Sequence, residues 1–232
     1  MADNYTVELY STREEWLKNR GIGGSDAAAI VGNGKWKNSN DIYTRITSHQ
    51  PEEEVENERM VDGRNAEEHI RELFKINHKD LEIVKYPKRK IVMFRRKDYP
   101  LMTWSPDSIF VNKSSGKQIG VEFKDVELRK TEDKVLWGSN GLPNQYYFQI
   151  LYYLVVNEDL EAVCLNAHLK HYSFNDKTQK MEFEYAELKD FWIYRDEVEN
   201  HIKYLEKAVI NFIEKNIQER KRPSLKINIR GF

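Results

Sequence analysis

Two carboxylates and an ammonium group occur at a spacing that suits the binding of a divalent cation. Residues 119–124 have the alternation of a β-strand, and successive strand side chains point to opposite faces, so Glu122 and Lys124 share one face. Asp107 begins an earlier β-type run, and the polar turn at residues 112–117 separates the two runs. The sequence therefore predicts a β-hairpin that carries all three charged side chains.

The register of this hairpin decides whether the two acids meet. With the turn centred between Ser114 and Ser115, Asp107 lies opposite Glu122, whereas a bulge at Gly116 would shift the pairing by one residue. Directly opposed Cβ atoms are roughly 5 Å apart, and two like charges there destabilise the strand pair unless something compensates them. We therefore predict a bound cation. The alternative is a simple Ser-Pro-Asp turn beside a solvated Glu-x-Lys ion pair.

Composition limits the class of protein. The 232 residues have 40% hydrophobic and 12% aromatic content, which excludes wholesale disorder, and the length fits one large domain. The net charge of −1 means that any nucleic-acid surface must be a local basic patch. Because Cys164 is the single cysteine, a disulfide framework, a cysteine-rich zinc site and a four-cysteine iron–sulfur cluster are excluded. No signal peptide, membrane-spanning run or lipidation motif is recognisable, so we expect a cytoplasmic location.

A glycine-rich segment follows the first predicted helix. Residues 11–12 can cap a short helix that ends at Arg20. Residues 21–26, Gly-Ile-Gly-Gly-Ser-Asp, then lead into a helix of small residues, and such a turn presents backbone N–H groups to an anion. A tight turn capped by Ser25 or Asp26 is at least as good an interpretation.

Hydrophobic periodicity predicts the remaining elements. A long helix is expected over residues 55–77, and Gly63 within it suggests close packing or substrate approach. Glu67 and Arg71 lie four residues apart on this helix, a spacing typical of a salt bridge. Its apolar stripe is Met60, Ile70, Leu73 and Phe74. The other expected elements are helices at 39–48 (capped by Ser39), 144–157 and 188–217, and strands at 83–86, 90–94, 101–104, 161–170 and 180–185.

Basic residues cluster between the predicted strands of residues 83–104. They either bind phosphates or serve only solubility. The cluster consists of Lys85, Lys88, Arg89, Lys90, Arg95, Arg96 and Lys97. A second basic run, at residues 220–222, is either flexible or in contact with DNA.

Six short motifs occur in order between Trp16 and Val156. They are Trp16 with Gly21-Ile22-Gly23-Gly24-Ser25-Asp26, Met60-x-x-Gly63-x-x-x-Glu67-x-x-x-Arg71, Ser105-Pro106-Asp107, Glu122-Phe123-Lys124, Trp137-Gly138 with Leu142-Pro143, and Tyr146-x-x-Gln149 with Tyr153. Each motif is weak alone, but their succession is specific. It resembles the YqaJ-like viral recombinases, also called lambda-type exonucleases, within the PD-(D/E)XK nuclease superfamily.

The resemblance implies a fold. The expected class is α/β (α+β), with a central mixed β-sheet flanked by helices and a restriction-endonuclease-like PD-(D/E)XK core. One nuclease domain would span residues 1–232, with its core at about residues 12–186 and a long C-terminal helix and basic tail at residues 188–232.

The resemblance also implies an activity. This is Mg²⁺-dependent exonuclease digestion of linear double-stranded DNA, 5′-to-3′, leaving single-stranded 3′ overhangs for phage-type annealing recombination, with Mn²⁺ as a substitute metal. The implied partners are duplex ends, a single-strand-annealing protein and further copies of the chain in a ring-shaped trimer, in the cytoplasm of a bacterial host if the protein is phage-encoded.

Residue roles follow from the same resemblance. Asp107, Glu122 and the backbone carbonyl of Phe123 would ligate Mg²⁺. Glu67 would complete a second metal position or hold a water. Lys124 would orient the attacking water or neutralise developing charge, and Gln149 would orient Lys124 or the nucleophile. The remaining expected site residues are Lys18, Arg20 and Ser25 for the 5′-phosphate, with Arg71, Tyr146 and Tyr153 in support.

The chain departs from the family pattern at several positions. Lys18 stands where relatives have an arginine seven residues before Ser25, while Arg20 lies five before it, so both are candidates for the 5′-phosphate contact. Ser108 replaces a usual glycine, and Leu151 replaces a second glutamine found in lambda's enzyme. Two other functions stay open at this point: a nicking or structure-specific endonuclease with the same centre, and a catalytically idle DNA-end-binding recombination adaptor.

Overall fold

The structure is a computed structural model that describes residues 4–48, 58–138 and 141–224, with the side chains of 58–62 and 64 also outside the description. Its strands are β1 (Tyr5–Tyr10), β2 (Leu81–Ile83), β3 (Ile91–Arg96), β4 (Thr103–Trp104), β5 (Ser108–Asn112), β6 (Gln118–Leu128), β7 (Leu160–Asn175) and β8 (Lys180–Tyr194). Its α-helices are α1 (Arg13–Asn19), α2 (Gly24–Ile30), α3 (Ser39–Thr47), α4 (Glu58–Asn77), α5 (Thr131–Trp137), α6 (Asn144–Val156) and α7 (Glu199–Phe212). A 3₁₀ turn, Arg195–Glu197, precedes α7 and a π-helical segment, Ile213–Gln218, follows it. None of the helices described is long and apolar enough to cross a bilayer.

The strands form two sheets. The larger has the order β2-β5-β6-β7-β8, and it is mixed because β6 and β7 run parallel while the other neighbours are antiparallel. The smaller sheet has the order β1-β3-β4 and is antiparallel. The predicted mixed sheet flanked by helices is therefore confirmed.

The hairpin between β5 and β6 has the predicted register. Ser108 pairs with Val121, so continuing the ladder by one residue places Asp107 opposite Glu122. Gly116 adopts a left-handed φ of 70°, which favours glycine, and it closes the turn without shifting the pairing. The turn chemistry of the sequence thus fixes the position of both acids.

Strand β6 is covered on both faces. On one face Ile70 and Phe74 of α4 pack against Val121 and Phe123. On the other face Gly120 lies under Trp104, where an added Cβ would be 3.1 Å from the indole ring. Glu122 shares this second face and is only 4% exposed. The alternative of a solvated ion pair is therefore wrong.

Helices α2 and α6 build the layer above Glu122. Small side chains in α2, among them Ala27 and Ala28, allow it to pack closely on α6, whose residues 150–156 are all buried. The strongly amphipathic α7 adds Leu205 and Val209 to the same core. This layer positions Gln149 and Tyr153 over the sheet.

The predicted C-terminal helix begins too early. Residues 188–194 belong to β8, where Phe191 pairs with Leu165, and α7 begins only at Glu199. The run Phe-Trp-Ile-Tyr favours a strand, and pairing with β7 outweighs the three-four spacing. Strand β1 precedes residue 12, and β8 continues past residue 186.

Several smaller predictions need correction. Asn38, not Ser39, caps α3, because its side chain accepts from the backbone N–H groups of Asn40 and Asp41. Leu73 is 46% exposed and does not belong to the apolar stripe. A Cβ added at Gly63 would meet nothing within 4 Å, so close packing there is wrong. Helix α5 was not predicted. The expected helix start at 55, the Met60 side chain and the tail after residue 224 lie outside the described residues.

Candidate active site

Asp107 is held at the start of the hairpin by the backbone of β6. Its Oδ2 accepts a hydrogen bond from the N–H of Phe123 at 2.8 Å. Because Phe123 directly follows Glu122, this bond fixes the first carboxylate beside the second. The two acids that the sequence predicted to meet are brought together.

Glu122 is the most heavily bonded acid of the site. Its Oε1 accepts from the Lys124 ammonium at 2.5 Å and from the Gln149 amide at 2.6 Å. Its Oε2 accepts from the Tyr153 hydroxyl at 2.8 Å. Tyr153 also accepts from Gln149 at 2.7 Å. Three donors thus hold one buried carboxylate in a single orientation.

Glu67 reaches the hairpin from α4. Its Oε1 accepts from the Arg71 guanidinium at 2.7 Å, and Arg71 also donates to the backbone carbonyl of Asp107 at 3.3 Å. The predicted salt bridge on α4 is confirmed, and it ties the helix to the hairpin. Glu67 lies close enough to Asp107 and Glu122 for their charges to interact.

The electrostatics of the site show an excess of negative charge. Burial, and then the carboxylates of Glu122 and Glu67, raise the pKa of Asp107 well above its usual range. Burial also raises the pKa of Glu67. For Lys124 burial acts to lower the pKa, but Glu122 and Asp107 outweigh it and raise the pKa, so this ammonium stays charged. Lys124 is bonded to Glu122 and Arg71 to Glu67, so the third acid, Asp107, has no cation bonded to its carboxylate among the described contacts.

These donors fit a hard divalent cation. Mg²⁺ takes oxygen ligands in octahedral geometry and is usually bound by one or two carboxylates, with water filling the other positions. Asp107, Glu122 and the Phe123 carbonyl provide that donor chemistry. Among the residues described, no three His, Cys, Asp or Glu side chains converge on one point. The donors that the site offers to a cation are therefore the two carboxylates and the backbone carbonyl.

A cleft of about 130 Å³ adjoins the acids, and we call it the end cleft. Among its lining residues are Arg20, Ser25, Asp107, Glu122 and Gln149. Arg20 donates to the Ser25 hydroxyl at 2.8 Å, and its guanidinium stacks on the Trp16 ring, 5.2 Å from the centroid. The end cleft therefore brings the Arg20 guanidinium and the Ser25 hydroxyl next to the acid cluster.

Lys18 lies apart from this arrangement. It lines a different depression together with Glu8, Arg45 and Arg95. Of the described residues, Arg20 alone lines both this depression and the end cleft. Lys18 is exposed, whereas Arg20 is half-buried beside Ser25. Of the two candidates for the 5′-phosphate, the structure brings Arg20 to the acids and leaves Lys18 outside.

The glycine-rich turn is a capped helix start. The N–H of Gly23 donates to Asp26 Oδ2, and Asp26 is fully buried in ion pairs with Lys37 and Arg45. The predicted N-cap at Ser25 or Asp26 is wrong: the N-cap is Gly23, and Asp26 is the third residue of α2, from where its carboxylate accepts the Gly23 N–H. Gly24 packs so closely on α6 that an added Cβ would lie 2.4 Å from the Tyr153 ring.

Residues 15–159, more than half of the chain, match the family described as the YqaJ-like viral recombinase domain. The chain belongs to this family. The curated relative it matches is the uncharacterized protein YqaJ of Bacillus subtilis (strain 168), with 28% identity over 147 residues. That match covers 62% of this chain but only 42% of the relative's length.

Solved structures share the fold of this YqaJ-like domain. The alkaline exonuclease LHK-Exo of Laribacter hongkongensis superposes with a TM-score of 0.57 at 14% identity, covering 90% of this chain and 96% of that one. A phage-related exonuclease of Haemophilus somnus 129PT gives a TM-score of 0.52 at 13% identity, covering 87% and 97%. The predicted family is confirmed by the family match, and these structures share the overall fold of the chain.

Sequence reasoning did not assign site roles to Trp16 and Ser105, although both stand in matched motifs of this YqaJ-like domain. The indole N–H of Trp16 donates to the Ser105 hydroxyl at 2.7 Å, and both residues line the end cleft. The available signals were the position of Ser105 in the Ser-Pro-Asp motif and the position of Trp16 in the motif that contains the glycine-rich segment. Tyr146, expected in support, has its ring centre 5.8 Å from the Lys124 ammonium and packs against Trp137.

Proposed function

We propose that this protein is a Mg²⁺-dependent DNA exonuclease that digests one strand of a linear duplex from its 5′ end. The observation that carries the proposal is the buried acid cluster of Asp107 and Glu122, with Lys124 bonded to it and the end cleft beside it. The oxygen donors for a metal ion and a cleft that carries the Arg20 guanidinium for a terminal phosphate lie next to each other. That combination suits removal of nucleotides from a chain end.

Membership of the recombinase family supports the substrate class. The two solved neighbours are named as exonucleases, one alkaline and one phage-related, and that description is theirs. At 14% and 13% identity their likeness supports the fold, and the activity of this chain is inferred from its own site. An overhang left for annealing recombination is consistent with the family description.

Asp107, Glu122 and the Phe123 carbonyl would hold the metal. Glu67 would complete a second metal position or hold a water. When bound, Mg²⁺ polarises the phosphate and lowers the pKa of water. Mn²⁺ has similar oxygen-ligand preferences and is expected to substitute. The protein's own contribution is to hold these oxygens in place before the substrate arrives, because phosphoryl transfer depends chiefly on positioning and electrostatics.

Lys124 supplies positive charge next to the reacting phosphate. Its ammonium is bonded to Glu122, and its raised pKa keeps it protonated at neutral pH, so it acts as a charge and hydrogen-bond donor rather than as a general base. Gln149 and Tyr153 hold Glu122, and burial raises the pKa of Tyr153 well above its usual range, so its hydroxyl stays a donor. These two residues are positioning residues.

Arg20 and Ser25 are the proposed contacts of the 5′-phosphate. A guanidinium and a hydroxyl at 2.8 Å from each other present several donors to one anion. The cleft volume of about 130 Å³ suits a phosphate group better than a whole nucleotide. A strand end bound there would place a phosphodiester of the same strand near Asp107.

The further partners rest on the resemblance alone. On that basis we propose a ring-shaped trimer around the duplex and transfer of the exposed strand to a single-strand-annealing protein. A cytoplasmic location is proposed on the same basis. Sedimentation of the purified chain with and without duplex would test the trimer.

A time course on labelled linear duplex tests the proposed function. The substrate carries a 5′-phosphate and a label at the 5′ or the 3′ terminus of one strand, and the reaction contains Mg²⁺ or excess chelator. We expect immediate release of the 5′ label as mononucleotide, late loss of the 3′ label, and no reaction with chelator. Cleavage of a closed circular duplex would indicate an endonuclease. A protein that binds ends but releases neither label would be an adaptor.

A further inference from the structure

A larger depression, about 720 Å³ in volume, lies next to the end cleft. The two share Trp16, Ser105 and Asp107 as lining residues. We call this depression the lysine groove, because its outer wall carries Lys85, Lys88 and Lys90 from the loop between β2 and β3. It borders the acid cluster at Glu67 and Asp107.

The lysine groove has an uneven distribution of charge. The cations that line it are Arg13, Arg71, Lys85, Lys88 and Lys90. The only acids among its described lining residues are Glu67 and Asp107, and both belong to the cluster at its inner end. Beyond the acid cluster, the charged residues of the wall are all positive. Such a wall suits a chain of phosphates.

The three lysines differ from the other cations of their basic stretch. Arg95 is paired with Glu8, and Arg96 with Asp98 and Glu206, so these two arginines hold the fold together. Lys85 and Lys88 are exposed and have no ion-pair partner in the described part of the chain. Lys90 donates to the Ser11 hydroxyl at 2.5 Å, which leaves its charge unneutralised by that contact.

The loop that carries the lysines has a defined turn. The N–H of Lys90 donates to the carbonyl of Pro87 at 3.3 Å, and Arg89 between them adopts a left-handed φ of 63°. Few residues other than glycine occur in this region of backbone space. The turn therefore presents Lys88 and Lys90 from a constrained backbone.

We propose that the lysine groove binds the phosphates of the digested DNA strand on the 3′ side of the reacting phosphate. This inference rests on the proposed function for its choice of substrate. A strand whose 5′-phosphate is bound by Arg20 and Ser25, and whose next phosphodiester lies at Asp107, would continue from the acid cluster into the groove. The groove, more than five times the volume of the end cleft, has room for nucleotides that the end cleft lacks.

Salt dependence of DNA binding tests the groove without any need for catalysis. Metal-free protein in chelator is titrated with a fluorescent duplex carrying 5′-phosphates, at several salt concentrations. The groove variant is Lys85→Ala/Lys88→Ala/Lys90→Ala. The matched control, Lys177→Ala/Lys180→Ala/Lys203→Ala, removes the same charge from exposed positions outside the groove. Circular dichroism verifies that both variants are folded.

The groove variant should lose phosphate contacts. Each lost contact lowers the slope of log K against log[salt] by about 0.7 to 0.9, so three lost contacts lower it by roughly 2 to 3. The ratio of variant to wild-type Kd would then shrink roughly 20- to 40-fold between 50 and 200 mM salt. The control variant should match the wild type. Equal slopes for wild type and groove variant, or no DNA binding by the wild type, would overturn the proposal.

Neutral phosphate analogues identify the strand. Methylphosphonates are placed at the second to fourth linkages from the 5′ end, or at the facing linkages of the complementary strand. We expect methylphosphonates near the 5′ end to abolish the difference in salt slope between wild type and groove variant. Methylphosphonates in the complementary strand should leave that difference intact. The reverse result would overturn the strand assignment. If the groove effect is present but the wild type digests nothing, the proposed function fails and the groove stands.

Discussion

The carboxylate of Asp107 accepts a hydrogen bond from the backbone N–H of Phe123, with 2.8 Å between Oδ2 and N. This contact joins the first residue before β5 to the residue that follows Glu122 in β6. It holds one acid beside another, so the metal-free protein keeps two carboxylates where mutual repulsion acts. The predictions below follow from that repulsion and from the contacts that surround it.

Asp107→Asn should stabilise the metal-free protein. The asparagine keeps an oxygen to accept from Phe123 N–H and removes the repulsion from Glu122 and Glu67. We expect a gain of about 1 kcal/mol, or roughly 2 to 4 °C in Tm for a chain of this size. Thermal unfolding in chelator measures it. A lower Tm for the variant would show that the acids do not repel.

The same variant defines the pH dependence. The folded-state pKa of Asp107 lies above its unfolded value, so ionisation of this group costs stability above the folded pKa and costs nothing below the unfolded pKa. The advantage of Asp107→Asn should therefore be largest at alkaline pH and fade as the pH falls toward the ordinary aspartate value. An advantage that grows on acidification would contradict this assignment.

Glu122→Gln should have the opposite effect on stability. The glutamine amide removes the carboxylate that neutralises the Lys124 ammonium and disturbs two further bonds, from Gln149 and Tyr153. Loss of one partner of a buried pair leaves the other charge uncompensated, and we expect a destabilisation of about 2 to 4 kcal/mol. Unfolding by urea measures it. Equal stability of wild type and variant would mean that Lys124 is solvated.

The sequence predicts the position of the acids better than their surroundings. The register of β5 and β6 follows from local turn chemistry, which needs no knowledge of the rest of the chain. The burial of Glu122 depends on α2 and α6, which come from distant parts of the sequence and cover a face that alternation alone marks only as polar. The assignment of residues 188–194 to a helix failed for a related reason, because β7 supplies the partner that makes them a strand.

The choice between Lys18 and Arg20 also depended on tertiary structure. Both are basic and both precede Ser25, and local sequence does not distinguish them. The end of α1 turns Arg20 toward Ser25 and leaves Lys18 exposed. In the same way the groove lysines and the paired arginines 95 and 96 look alike in sequence, and only their long-range contacts separate them.

Gly24→Ala should weaken both stability and the site. The added methyl group would lie 2.4 Å from the Tyr153 ring and 2.9 Å from the Gln149 carbonyl, so α2 must move away from α6. Overpacking of this kind costs about 1 to 3 kcal/mol. Gly63→Ala is the matched control, because its methyl group meets nothing within 4 Å and alanine favours a helix by up to about 1 kcal/mol. Thermal unfolding of both variants should give shifts of opposite sign.

Arg20→Ala should remove the preference for 5′-phosphorylated ends. A charge-assisted hydrogen bond contributes about 1.5 to 3 kcal/mol, so the ratio of initial rates on phosphorylated and hydroxyl ends should fall roughly 10- to 100-fold. Lys18→Ala is the control and should keep the wild-type ratio, because Lys18 lies outside the end cleft. The opposite pattern would transfer the phosphate contact to Lys18.

Titration of the protein with Mn²⁺, followed by the electron paramagnetic resonance signal of the free ion, tests the central claim most directly. If Asp107 and Glu122 form a cation site, the wild type should remove free Mn²⁺ from solution with one or two ions per chain, Mg²⁺ should compete, and Asp107→Ala should abolish the uptake. A wild type that leaves the free-ion signal unchanged, or an Asp107→Ala variant that binds as well as the wild type, would contradict it.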